Sequence, residues 1–419
     1  MKIFETQVTT DLHSYGPTPS SSKVFRHNKL RIDSYWEDLA ETFRRCSSIV
    51  AIPVQNEESY IAKCLIALAQ QSGGGRYGIV LLLNNCTDRT LAVVRDVAVG
   101  LPMPLLATDA IVPARMSNAG FARRLAMEFA ARLAAPGSVL MTTDADGEVY
   151  PDWIAANLAA LRAGADVVAG RVELDGADAI RLPSRLQEDD EKECMYDRLL
   201  DEIHAKLDPD PADPLPRHTE HAGASIAVRL PAYRKAGGIP AVPVGEDRAF
   251  IEALRKIDAR IRHSRDVRVV VSGRIIGRAV GGMADAIRRR LIQSDEMLDG
   301  RLEPARIAAE RAWMRGFLRQ IWSGGKRADQ SINMLAIRSK VPAMRITDLL
   351  AGATFGEAWS QLESRSPVLR KLPVLIRDLP AEMRAARMIL DDLDRRDAKV
   401  TRGATTPADS PDCGAAQLS

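Results

Sequence analysis

From residue 48 onward, short apolar runs alternate with longer stretches of helical periodicity. The runs at 49–53, 79–83, 139–143 and 167–172 are almost uninterrupted by polar residues, as strands covered on both faces require. Between them, apolar residues recur every three or four positions over 59–70, 88–97, 118–134 and 152–163, and each stretch opens near a polar or capping residue. This alternation predicts parallel strands joined by crossover helices, an α/β fold built on an open, doubly wound, mainly parallel sheet. In such sheets ligands bind beyond the carboxyl ends of the strands. The residues that follow each apolar run are therefore the candidates for function, and here they are unusually polar.

The same pattern divides the chain. Residues 1–47 read as an extension, with a Pro- and Ser-containing loop around Pro17, Pro19 and Ser20 and a short amphipathic helix over 35–45. Residues 48–282 carry the α/β pattern. It is interrupted by an acidic helical stretch over 187–207 and an Asp- and Pro-rich run over 208–216, an excursion beside the expected site. It resumes with an apolar run at 224–229, a helix from about 246 to 255 and a strand at 267–271. Residues 283–396 read as helical, and 397–419, poor in apolar residues, as a disordered tail.

Composition adds mainly exclusions. The 58 Lys and Arg nearly balance 55 Asp and Glu, with 46% hydrophobic residues, which argues against a surface committed to nucleic acid. Five scattered cysteines without a Cys-x-x-Cys pair suggest neither a disulfide framework nor a zinc knuckle, so a reducing cytoplasm is the expected location. Residues 1–10 lack the apolar stretch of a signal peptide, and no apolar run reaches about 18 residues, so no transmembrane span is expected.

Three strand ends and one helix start carry candidate chemistry. The strand at 139–143 runs into Asp144-Ala145-Asp146, two carboxylates suited to a hard divalent cation; acids at a helix start are the plainer explanation. The first strand ends in Asn56-Glu57-Glu58 and the second in Asn84-Asn85-Cys86-Thr87-Asp88-Arg89-Thr90, polar groups able to read a base or ribose edge. For Thr87 and Thr90 helix capping is the preferred reading. Gly245-Glu246-Asp247 places two acids at a helix start, where a carboxylate facing the cleft can serve as general base and where acids also complement the helix dipole.

Taken in order, Pro53-x-x-Asn56-Glu57, Asn84-Asn85-Cys86-Thr87-Asp88-x-Thr90, Asn118-x-Gly120, Asp144-x-Asp146 and Gly245-Glu246-Asp247 closely resemble the GT-A glycosyltransferases of family 2, over about residues 48–280. The resemblance implies a Rossmann-like sheet and transfer of a sugar from a nucleotide-diphosphate sugar, with UDP-sugars favoured. It implies that Pro53, Asn56, Glu57, Asn85, Asp88 and Asn118 line the nucleotide-sugar pocket and that Asp144 and Asp146 hold Mn2+ or Mg2+, Asp146 more directly. Asp247, or its neighbour Glu246, would be the base of an inverting displacement, with the other acid on the acceptor. Gly223 would shape the acceptor side. Many family members have Asp-Asp or Asp-Asn where Asn84-Asn85 stands, which loosens the uridine preference. The Gln-x-x-Arg-Trp motif and membrane helices of processive members are absent from the sequence, which implies a non-processive enzyme. The acceptor, lipid-linked or a small molecule, is not specified.

Further residues carry less. Arg274 and Arg278, in a segment resembling a loop that closes over donor phosphates, are phosphate-clamp candidates or plain surface charges. His218, His221 and His263 are weaker candidates for a further metal ligand. Arg311, Arg315 and Arg319 recur every four residues opposite Trp313, Phe317 and Ile321, and residues 283–345 hold 13 Lys and Arg against 7 Asp and Glu. Peripheral contact with the inner face of a membrane is one expectation from this; packing of the aromatic face on the catalytic domain or a second subunit is preferred. The competing functions are a retaining transferase on the same sheet, a sugar-1-phosphate nucleotidyltransferase, disfavoured because Pro53-Val54-Gln55-Asn56-Glu57 has neither glycine nor base, and a non-catalytic nucleotide-sugar scaffold.

Overall fold

The computed structural model describes residues 3–9, 35–113, 116–275, 277, 283–293, 295–324 and 329–404. Its elements run β1 (Ile3–Thr9), α1 (Tyr35–Arg44), β2 (Ser48–Val54), α2 (Ile61–Ala69), β3 (Tyr77–Asn84), α3 (Thr90–Ala98), β4 (Leu105–Ile111), α4 (Ala119–Leu133), β5 (Val139–Thr142), β6 (Gly147–Val149), α5 (Trp153–Arg162), β7 (Val167–Leu174), α6 (Gly176–Arg181), α7 (Ser184–Leu207), β8 (Ile226–Arg229), α8 (Leu230–Lys235), α9 (Glu246–Lys256) and β9 (Ile261–Val271). The helical C-terminal region follows as α10 (Met283–Ile292), α11 (Ala305–Trp322), α12 (Asp329–Ser339), α13 (Ala343–Leu350), α14 (Phe355–Arg365) and α15 (Leu379–Ala404).

The strands form one sheet in the order β1-β4-β3-β2-β5-β8-β7-β9-β6. Pairing is parallel from β1 through β5 and between β7 and β9, while β8 and β6 run antiparallel to their neighbours. This is the open, doubly wound, mainly parallel α/β sheet that the alternating pattern predicts, with a helical C-terminal extension. Every residue of β3 is buried, because the sheet separates two apolar clusters: one contains Phe43, Val80 and Phe129, the other Leu65, Leu81 and Trp153.

Four elements depart from the sequence expectation. Residues 3–9 are not a detached extension; they form β1 and add an edge strand in register Ile3 to Leu105. Strand β4 carries Thr108 and Asp109 within its apolar run, which hid it from the hydrophobic pattern; Thr108 is nevertheless fully buried. Helix α15 continues through 397–404, where a polar tail was expected, and 405–419 lie outside the described residues.

The fourth departure is the face on which α11 docks. Arg315 and Arg319 turn inward and pair with Asp208 at the end of α7, at 2.5 and 2.8 Å, and Arg311 pairs with Glu303 at 2.7 Å. Trp313 and Phe317, stacked at 4.9 Å, sit instead among the C-terminal helices. Arg315 and Arg319, not the aromatic row, tie α11 to the end of α7, where Asp208 is almost fully buried and requires compensating charge. Among the described residues no helix is long and apolar enough to cross a membrane.

Candidate functional site

The antiparallel pairing of β5 with β8 aligns Thr142 with Ile226, so the segment after β5 lies beside the segment before β8. Asp144 and Gly223 thereby meet at the carboxyl edge. Into this corner α4 projects Arg123, a residue that the sequence reading did not single out. Its guanidinium donates to Asp144 Oδ1 at 2.6 Å, Glu246 Oε1 at 3.0 Å, Thr142 Oγ1 at 3.0 Å and the Gly223 carbonyl at 2.9 Å. Its side chain is 6% exposed. Burial disfavours its charge, but the carboxylates of Asp144 and Glu246 outweigh that and hold its pKa above the usual arginine value.

Two glycines make this corner possible. A Cβ on Gly223 would come within 2.5 Å of the Arg123 guanidinium. A Cβ on Gly120, in the first turn of α4, would lie 2.1 Å from the Val242 carbonyl, so glycine lets α4 approach the loop that leads into α9. Asn118 caps α4 by accepting from the Phe121 N–H at 2.9 Å, so that side chain acts on its own helix.

Glu246 and Asp247, adjacent in sequence, separate in role. Glu246 is buried against Arg123 at 3.0 Å, in contrast to the expectation of a carboxylate on the acceptor. Asp247 is half-buried; its Oδ2 accepts from the Gly223 N–H at 3.1 Å and its Oδ1 from the Arg248 N–H at 2.7 Å. Burial first, and then the neighbouring Glu246 charge, raise the Asp247 pKa. Gly223 thus bridges Arg123, through its carbonyl, and Asp247, through its N–H.

A second knot lies on the other side of Asp-x-Asp. β6 begins at Gly147 opposite Val271 of β9, so the chain leaving β9 passes over Asp146. Arg274 grips Glu57 with both terminal nitrogens, at 2.5 and 2.7 Å, and reaches Asp146 Oδ2 at 3.2 Å, with its guanidinium 5.2 Å from the Tyr60 ring centroid. Gly273 N–H and Ser272 are anchored on Asp178. Asp146 is pushed up to about 6, chiefly by burial and then by Asp144, with Arg274 opposing. Arg278 lies outside the described residues.

The turns after β2 and β3 brace each other. Asn56, in the left-handed region at φ 54°, accepts the Thr87 N–H at 2.7 Å, and Glu57 N–H donates to Thr90 at 2.8 Å. Asp88 accepts from the Thr90 N–H and hydroxyl and from Glu58 N–H, bonds that outweigh its partial burial and lower its pKa. Asn85 exchanges two hydrogen bonds with the Val112 backbone, at 2.8 and 2.9 Å, which occupies both ends of its amide. Thr90 is the first residue of α3, behind Arg89, and its hydroxyl does not cap the helix as expected but ties the two turns together, accepting from Glu57 N–H and donating to Asp88. Pro53 lies within β2, one residue before its end.

The histidines form a separate structural group. His218 Nε2 donates to the carbonyls of Ala169 and Ser264, and burial followed by His263 lowers its pKa to about 4. His221 and His263 meet at 3.0 Å, and His263 Nδ1 contacts Asp213 at 2.6 Å. These nitrogens are engaged within the protein. Among the described residues no group of three or more His, Cys, Asp and Glu is arranged to hold a metal. What Asp144 and Asp146 offer is a two-carboxylate oxygen set. That fits Mg2+ or Mn2+ bound as such ions bind nucleotides, through one or two carboxylates completed by water and substrate phosphate.

Residues 49–205, from the start of β2 almost to the end of α7, match the family Glycosyl transferase family 2. This segment is a family 2 glycosyltransferase domain. Arg123, Asp144 and Asp146 lie within the matched segment; Gly223, Asp247 and Arg274 lie beyond it. No curated protein matches the chain. Among solved structures, the chain is similar to Staphylococcus aureus TarS in complex with UDP, at 15% identity over 83% of this chain and 91% of that one, with a TM-score of 0.40. It is also similar to the mannosyltransferase PcManGT of Pyrobaculum calidifontis in complex with GDP-Man and Mn2+, at 16% identity over 82% and 86%, with a TM-score of 0.40. A third is glucosyl-3-phosphoglycerate synthase of Mycobacterium tuberculosis, in complex with Mn2+, UDP and glucosyl-3-phosphoglycerate, at 17% identity over 62% and 81%, with a TM-score of 0.34.

Proposed function

We propose that the glycosyltransferase domain moves a sugar from a nucleotide-diphosphate sugar, with UDP-sugars favoured, to an acceptor hydroxyl, by inversion and one sugar at a time. The observation that carries this reading is the meeting of two acidic centres, Asp144 with Asp146 and Glu246 with Asp247, at one guanidinium, Arg123. A donor diphosphate and an acceptor hydroxyl need adjacent but chemically distinct acids. Asp144 and Asp146 would hold Mn2+ or Mg2+, which supplies positive charge to a departing diphosphate. The chain's own residues do the rest.

Asp247 takes the acceptor proton as the hydroxyl oxygen attacks the anomeric carbon; its raised pKa suits it to that task better than an ordinary carboxylate. Glu246, paired with Arg123, fixes the start of α9 and so the reach of Asp247. Gly223 orients the same carboxylate through its N–H. Pro53 and the turns braced by Asn56, Asn85 and Asp88 form the nucleotide wall, with Asn118 behind them at the head of α4.

The test is a thermal-shift panel of UDP, GDP, dTDP and CMP forms with their sugars, each with and without Mn2+. The expected result is a Mn2+-dependent rise in Tm with one nucleotide, lost in Asp146→Ala. A ligand at a hundred times its dissociation constant stabilises the fold by about 2.7 kcal/mol. Asp247→Asn should keep that shift while transfer falls by about 10^2 to 10^4. Transfer at the parental rate in Asp247→Asn overturns the base assignment, and the anomeric configuration of the product, read by NMR, separates inversion from retention.

A further inference from the structure

The chain itself places a cation in the site. Arg274 spans Glu57 and Asp146, and Asp146 is one of the two carboxylates assigned above to the metal. The guanidinium makes a two-pronged bond to Glu57, 5% exposed, and a longer contact of 3.2 Å to Asp146. Apart from these carboxylates and the Tyr60 ring, its head group has no protein partner among the described contacts. It stands on the chain just beyond β9, three residues past the last paired position, Val271.

Resting on the function proposed above, we propose that Arg274 is a resident counter-ion that competes with the divalent cation for this acidic pocket and transfers to the donor diphosphate when nucleotide arrives. A divalent cation on Asp144 and Asp146 and a guanidinium on the same Asp146 repel each other strongly at a few ångströms. A cation entering alone must therefore displace the guanidinium from Asp146 and leave it with Glu57. A diphosphate offers it a second anion, since guanidinium matches phosphate oxygens in a two-pronged geometry. Nucleotide thus lowers the cost of metal entry, and by thermodynamic reciprocity metal tightens nucleotide by the same factor. Arg274 makes the pocket bind metal and nucleotide together and resist metal by itself.

The experiment measures Mn2+ binding by electron paramagnetic resonance, without nucleotide and with saturating UDP or GDP, in the parental protein, Arg274→Gln and Arg274→Lys. Circular dichroism confirms that each variant is folded. The expected result is that Arg274→Gln binds Mn2+ alone about fivefold or more tightly than the parental protein, while the factor by which nucleotide tightens Mn2+ shrinks toward one. Arg274→Lys, a point charge without the fork, should fall between them. If Arg274→Gln binds Mn2+ alone no more tightly than the parental protein, while nucleotide still promotes Mn2+ binding, Arg274 is a permanent structural partner and the inference fails with the proposed function intact. If neither nucleotide promotes Mn2+ binding to the parental protein, the proposed function fails and takes this inference with it.

Discussion

Two arginines, one buried and one half-buried, serve the same acidic edge, and their surroundings differ in kind. Arg123 comes from the middle of a helix, and four acceptors contributed by β5, the segment before β8 and α9 surround it. Arg274 comes from the chain beyond a strand end, bonds to two carboxylates and is 18% exposed. The first cannot leave without unpairing the corner, because its four acceptors are held by three separate segments of the chain. The second can leave by moving a short stretch of chain. The acidic edge thus has one arginine locked among four acceptors and one held by two carboxylates beyond a strand end.

The sharpest way to break the comparison is Arg123→Met. It leaves Glu246 buried without its cation, a loss of about 3–5 kcal/mol for a broken buried pair, and denaturant unfolding should register it as a marked drop in midpoint. Gly223→Ala is next. Its Cβ would push on the Arg123 guanidinium, at an overpacking cost of about 1–3 kcal/mol, and would shift the N–H that orients Asp247. Transfer should fall by about a hundredfold with nucleotide affinity unchanged. Equal losses of affinity and turnover would mean that Gly223 serves the donor instead.

The pH profile tests the Asp247 side. A general base acts only when deprotonated, and the Asp247 pKa is raised by burial and by Glu246. The acid limb of kcat/KM should therefore lie above the ordinary aspartate range near 4, with the rate rising as pH increases through it. A limb at or below that range would remove Asp247 from the role. The smallest effect belongs to Arg274→Gln, whose Tm should fall by less than that of Arg123→Met. Equal losses would erase the contrast between a fixed and an exchangeable arginine.

Much of this site is legible along the chain because strands advertise themselves as apolar runs and their carboxyl ends as the polar residues that follow. Asp144, Asp146 and Asn56 appear at such positions, and Asp247 at a helix start. Their division of labour is not legible. Glu246 and Asp247 are adjacent carboxylates; only the arrival of Arg123 from 123 positions away shows that one is buried in an ion pair while the other is half-buried against the Gly223 N–H. Asn85 reads as a base contact until its amide is seen to close on Val112. The row Arg311, Arg315 and Arg319 is visible as a period, but its direction depends on Asp208, which lies on a different helix end.

The sequence by itself determined the α/β class, the alternation of strand and helix from residue 48, and the set of polar strand ends, because local periodicity and burial on both faces leave their mark residue by residue. Tertiary structure decided which acids share a cation, which face of α11 is buried and that residues 3–9 complete the sheet. Those outcomes follow from pairings between segments far apart in the chain, and the energy of a buried charge depends on the partner it meets, which no local pattern records.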